Sequence, residues 1–219
     1  MRHFNQMAVH ADPKDPSYYG NARVDVLRFL EPPLGRVLDV GCGAGANAVV
    51  LRDLGAAEVI GIEIHEPSAE RARDVLDDVL TGPVEERLPD LAGAFDTILA
   101  YDVLEHLVDP YSVVRGLRER AAPGARLHVS LPNARHWSLM RDLVLHGSFA
   151  YTEQGHRDAT HLRWFTKADA VAMVERGGWR VERVDHQDLR PVSAAAARIS
   201  RGVSAEFLVH QWAILARGV

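Results

Sequence analysis

Cysteine is nearly absent: Cys42 is the single one in 219 residues. That excludes an internal disulfide framework and any zinc site built from clustered cysteines, as expected for a reducing compartment. Long apolar runs are missing as well. No stretch of about 18 such residues reads as a membrane-spanning helix, and the opening MRHFNQMAVHADPKDP lacks the apolar core of a secretory signal. The cytoplasm is the expected location. Basic residues are in deficit, 25 Lys and Arg against 30 Asp and Glu, for a net charge of −5. This argues against broad electrostatic attachment to nucleic acid or an anionic bilayer. What remains, 47% hydrophobic and 25% charged, is the composition of a globular protein. The length suits one core that buries roughly two thirds of its unfolded surface.

Residues 1–16 are polar, hold Pro13 and Pro16, and show no period, which predicts a mobile arm that closes over a bound ligand. Residues 17–219 read as one domain. Ser17 is placed to cap a helix whose Val24, Leu27 and Leu30 recur every three positions until Pro32 and Pro33 stop it. From Arg36 apolar runs alternate with helical stretches: RVLDV, a glycine-rich turn, ANAVVLRDLG, EVIGIEI, PSAERARDVLDDVL, FDTILAYDVLEHL, DPYSVVRGLRERAAPG and RLHVSLPN. Such alternation implies an α/β, Rossmann-like doubly wound sheet with right-handed crossovers, with ligands outside the carboxyl ends of its strands. Residues 133–165, rich in aromatics, His and Arg, break the rhythm and are the expected substrate cap. TKADAVAMVERGG predicts a helix capped by Thr166 and ended at Gly177-Gly178. WRVERVDH and FLVHQWAILARG read as the last strands, joined through SAAAARISRGVSAE.

Gly41, Gly43 and Gly45 give G-x-G-x-G between a strand and a helix, where glycines admit a ligand close to the backbone. Gly41, Gly43 and Ala46 also fit the dinucleotide spacing, so the glycines do not separate NAD from its rivals. Asp39 does. Its carboxylate, two residues before the first glycine, would repel a pyrophosphate, whereas S-adenosylmethionine carries two positive groups and no phosphate. The other reading of Asp39 is a buried hydrogen-bond acceptor for the turn. Glu63 ends the next strand, where a carboxylate can accept both ribose hydroxyls.

With these motifs in view, VLDVGCGAG (37–45), GIEI (61–64), FDTILAYDVLEHL (95–107), LRERAAPGARLHVSLPN (117–133) and GGWRVERV (177–184), the chain resembles the class I S-adenosylmethionine-dependent methyltransferases. The resemblance covers about residues 17–217 and implies a seven-stranded sheet, mostly parallel with its last strand antiparallel. Within the family, YYGNARVDVLRFL, DVLEHLVDP and LPNARHWSLMRDLVLHGSF with THLRWFT look like small bacterial enzymes that O-methylate sugars, glycans or related metabolites. It puts Gly41, Cys42 and Gly43 against the methionine part, Glu63 on the ribose with Ile64 beside it, and Tyr101 next to the methionine segment. Tyr19 would cover the cofactor and Arg23 pair with its carboxylate. Many relatives have Asp after the third strand to bind adenine. Here TGPVEE offers Pro83, which leaves backbone around Gly82–Glu85, Glu85 itself, or packing.

Methyl transfer to oxygen needs a nucleophile placed near the methyl carbon and a base for one proton. His106, after the fourth strand in DVLEHL, is the first candidate, against a structural role bonded to backbone. His161 and His136, in the expected cap, are the next. Asp102, Glu105, His106 and His161 also resemble the E-x-x-E-H and later histidine of metal-dependent small-RNA ribose methyltransferases, and such a set suits a divalent cation. Arg135, Arg141, Arg157 and Arg163 in the cap suit a carboxylate or phosphate on the substrate, or internal ion pairs. Trp137, Phe149, Tyr151 and Trp164 suit stacking on a ring, or simple packing. The sequence thus favours a hydroxyl-directed methyltransferase acting on a small metabolite, sugar or glycan. An N-methyltransferase for an amino sugar or amine, a metal-assisted RNA ribose methyltransferase, and a non-catalytic cofactor-binding protein are the alternatives.

Overall fold

The structure is a computed structural model that describes residues 22–186 and 205–219. The expected arm, Ser17, Tyr19 and most of the SAAAARISRGVSAE connection lie outside them. Seven strands, β1 Gly35–Val40, β2 Ala56–Glu63, β3 Asp78–Thr81, β4 Phe95–Tyr101, β5 Ala121–Pro132, β6 Trp179–His186 and β7 Gln211–Gly218, form one sheet. Their order is β3-β2-β1-β4-β5-β7-β6. β7 is antiparallel to both of its neighbours and the other pairings are parallel. The chain moves outward from β1 through β2 and β3, then returns to the other side of β1 with β4. Such a reversal of direction opens a crevice at the carboxyl edge.

The central strands have no polar face because both faces are covered. Val37, Val59 and Leu99 pack with α1 Val24–Leu27, α2 Ala48–Asp53 and α3 Glu66–Ala72. Leu38, Val40, Ile60, Ile62 and Ile98 pack on the opposite side with α4 Val84–Arg87, α5 Pro110–Glu119 and α7 Lys167–Arg176. Each Leu or Ile so buried contributes about 1.5–3 kcal/mol. Between β5 and α7 runs α6 Trp137–His146, and α8 Ala205–Leu208 leads into β7.

Thr166 caps α7 as its sequence predicts, its hydroxyl accepting from the Asp169 N–H at 3.3 Å. The helix expected over PSAERARDVLDDVL is cut short. α3 stops at Ala72 and Asp78–Thr81 pairs with Ile60–Glu63 as β3. The Asp77 carboxylate takes the Val59 N–H at 2.7 Å, so tertiary pairing overrides a locally helical pattern. The strand expected from Phe207 begins instead at Gln211, with Phe207 and Leu208 in α8. No helix among the described residues is long and apolar enough to cross a membrane.

Candidate active site

At the end of β1 the chain turns through Gly41, Gly43 and Gly45, all at positive φ. A Cβ on Gly41 would collide with Cγ2 of Val103, so this loop lies directly against the turn that follows β4. The Glu63 carboxylate ties the loop to the end of β2, accepting the Gly43 N–H at 2.8 Å and the His65 N–H at 2.7 Å. Each oxygen is used once and keeps acceptor capacity. Ile64, the next residue, is 67% exposed.

Asp39 is buried and accepts from Asn47 Nδ2 at 3.1 Å, while Asn47 Oδ1 accepts the Arg23 N–H at 3.0 Å. Burial pushes the Asp39 carboxyl up to about 7; the Asn47 hydrogen bond opposes the rise and the Glu63 charge adds to it. Asp39, expected to repel a pyrophosphate by its charge, therefore carries only part of that charge near neutrality. Cys42 is buried beside both acids and its thiol is pushed far up, first by burial. It packs rather than reacts.

Tyr101 is also buried at the end of β4. Its hydroxyl bonds His128 Nδ1 at 2.7 Å, the rings meeting edge-on at 5.3 Å. Burial lowers His128 to about 3 and raises the Tyr101 phenol, so both are neutral. Asp102 follows at φ 54°, the single non-glycine residue with positive φ among those described. Its carboxylate pairs with the Arg23 guanidinium and accepts from Ser130 Oγ at 3.2 Å and Gln211 Nε2 at 2.5 Å. Arg23 also binds Asp25 at 3.1 Å and Gln211 Oε1 at 2.8 Å. Arg23, expected opposite a cofactor carboxylate, is thus held by two acids of its own chain.

A 3-10 turn, Leu104–His106, comes next. The Glu105 carbonyl accepts the N–H groups of both Leu162 (2.8 Å) and Arg163 (3.0 Å), which staples the 160–163 segment over this turn. His161 is thereby brought to 4.8 Å from His106, ring to ring. Each imidazole gives its Nδ1–H to a backbone carbonyl, His106 to Thr160 at 3.1 Å and His161 to His156 at 3.3 Å. Because a carbonyl only accepts, Nε2 is the basic nitrogen of both rings. Ligand atoms of Glu105, His106 and His161 lie within 4.8 Å of one another. Asp102, expected as a fourth member, is drawn instead into the Arg23–Gln211 network. His136, the third candidate base, belongs to another group: it stacks on His156 at 4.6 Å and meets His210 at 5.3 Å.

The cap arginines are engaged within the chain, as the internal-ion-pair reading expects. Arg135 pairs with Glu206, Arg141 and Arg157 pair with Asp142 at 2.7 and 3.0 Å, and Arg163 bonds the Val108 carbonyl at 2.5 Å. Phe149 and Tyr151 meet the Trp164 ring at 5.3 and 6.2 Å, while Trp137 and Tyr151 remain exposed. Asn47, Ser130, Gln211 and His210 are not singled out by the sequence. Asn47 had one signal, a polar side chain in the turn leading to α2. The others come from separate segments without a shared spacing.

A parallel sheet with one reversed strand, a glycine loop after β1 and an acid ending β2 define a class I S-adenosylmethionine-dependent methyltransferase. The chain belongs to the family described as a methyltransferase domain, whose model matches residues 18–184. It is similar to the ubiquinone biosynthesis O-methyltransferase of Xanthomonas axonopodis pv. citri, 29% identical over 179 residues, or 78% of this chain and 74% of that protein. It is 38% identical over 115 residues to the protein of the same name from Bordetella avium, covering 50% of this chain and 47% of the relative. The chain thus spans about half the length of that second relative. A solved S-adenosylmethionine-dependent methyltransferase from Mesorhizobium loti shares the fold, with a TM-score of 0.60 at 17% identity, covering 87% of this chain and 95% of that one.

Proposed function

We propose that the chain methylates a hydroxyl group of a small metabolite, sugar or glycan, with His106 as the base. The observation that carries this reading is the position of His106. It lies three residues after Val103, which packs against the glycine loop, and its Nδ1–H is fixed by a backbone carbonyl. S-adenosylmethionine, when bound, supplies a methyl group on a positively charged sulfur, open to in-line attack by oxygen. The residues present fit this cofactor. Gly41–Gly43 admit it close to the backbone, the Glu63 carboxylate keeps lone pairs for two ribose hydroxyls, and exposed Ile64 offers an apolar surface beside them. The backbone at Gly82–Glu85 is assigned to the adenine, Tyr19 to covering the site, and residues 133–165 to a substrate cap whose Trp137 and Tyr151 stack on a ring. His106 Nε2 takes the hydroxyl proton, with His161 behind it. The names of the two relatives, both O-methyltransferases, support an oxygen acceptor.

A second reading gives Glu105, His106 and His161 to a divalent cation, favoured by the grouping of their ligand atoms. Such an ion lowers the pKa of an adjacent hydroxyl. The first test is calorimetric titration with S-adenosylmethionine, S-adenosylhomocysteine and NAD, using wild type and Glu63→Gln. Micromolar binding of the methyl donor and its product is expected, weakened about 10–100-fold by the substitution, because hydrogen bonds to a charged acceptor contribute about 1.5–3 kcal/mol. Tight binding of NAD in their place would defeat the cofactor assignment.

A further inference from the structure

We infer that His136, His156 and His210 form a binding site for a divalent transition-metal ion of the zinc class, distinct from the group around His106. Three segments converge there. His136 immediately precedes α6, His156 belongs to the loop before α7, and His210 immediately precedes β7. The His136 and His156 rings stack at 4.6 Å, and His210 meets His156 at 4.1 Å. One ring nitrogen from each lies within 4.8 Å of the other two. Tetrahedral zinc with Zn–N bonds of 2.0–2.1 Å needs nitrogens about 3.3 Å apart. Rotation of the exposed His210 ring and a splaying of the stacked pair close that gap.

The surrounding hydrogen bonds prepare the rings for this role. The His210 carbonyl accepts both the Asn133 N–H at 3.0 Å and His156 Nε2 at 2.9 Å. His156 must therefore be protonated at Nε2, which leaves the Nδ1 lone pair to coordinate. His136 Nδ1 bonds Ser138 Oγ at 2.8 Å, which with Nδ1 as donor leaves Nε2. A second nitrogen held by a carbonyl or hydroxyl is the usual support of a metal-binding histidine. The neutral imidazole is the form that binds metal. With three imidazoles and no carboxylate, the set suits zinc, cobalt, nickel or copper rather than magnesium or calcium.

The test uses the untagged full chain, stripped with a chelator and titrated with Co2+ and then Zn2+. The expected result is uptake of Co2+ with the visible bands of a tetrahedral site, displaced by Zn2+. Affinity should fall by more than the roughly 10–100-fold that changes in supporting residues cost in both His210→Gln and His136→Gln. Uptake should persist in Glu105→Gln. Because His210 is exposed, His210→Gln leaves the core intact. No uptake, or uptake that survives His210→Gln and disappears in Glu105→Gln, would overturn the assignment.

Discussion

Replacing Asp39 with Asn removes one ionisable group from a position 1% exposed and keeps an oxygen to accept from Asn47. Burial moves this carboxyl from 3.8 to about 7. At 1.36 kcal/mol per unit, the shift amounts to about 4 kcal/mol of stability as an upper limit. Between these values the folded protein holds a proton that the unfolded chain releases, so stability falls as pH rises. The loss is absent below pH 3.8 and complete above about 7. His128, His136 and His156, held near 3, 4 and 4, act in the opposite direction. The unfolded chain protonates them below about 6.5, so they favour folding as pH rises. The difference between wild type and Asp39→Asn isolates the carboxyl. Urea unfolding at several pH values from about 4.5 to 7.5 should show the variant gaining about 2–3 kcal/mol relative to wild type. A difference that stays flat across that range would mean that Asp39 ionises as an ordinary surface acid, and the account of the β1 edge would be wrong.

His106→Gln should lower kcat by about 100- to 10,000-fold with little change in the KM for S-adenosylmethionine; unchanged kcat would remove His106 from the reaction. Dialysis against a chelator separates the two readings of the same residue. Activity that persists without metal favours the base, whereas activity lost and then restored by a divalent cation, with Glu105→Gln inactive, favours the ligand. Gly41→Ala forces a side chain into φ 70° and against Val103, so it should destabilise by about 1–3 kcal/mol and weaken cofactor binding. An unchanged calorimetric titration would show that the loop has room to spare.

Much of the sheet is legible because β1 and β2 are buried on both faces and read as largely apolar runs flanking a glycine turn. β3 is not legible, since DDVLT carries the same residues as the end of an acidic helix and only its pairing with Ile60–Glu63 decides. The same limit governs the site. Glu63 and His106 stand next to strand ends and can be found by position. The approach of His161 depends on two backbone bonds to the Glu105 carbonyl, which no periodicity records. Asp102 has the spacing of a ligand, but Arg23 and Gln211, from opposite ends of the sequence, claim its carboxylate. The imidazole group at 136, 156 and 210 has no spacing at all and exists only in three dimensions.

Among the described residues β6 is hydrogen-bonded only to β7, and β7 lies between β5 and β6 although it is the last of the seven strands in sequence. During synthesis β6 therefore emerges with no place to go. β5, twelve residues long, must wait with one edge unsatisfied until the final strand slides in beside it. Non-local closure of this kind is slow, and a long open edge is a template for pairing with other chains. The vulnerable moment in the life of this protein is the interval before β7 is made, and the segment that ends it also delivers Gln211 to Asp102 and His210 to its partners.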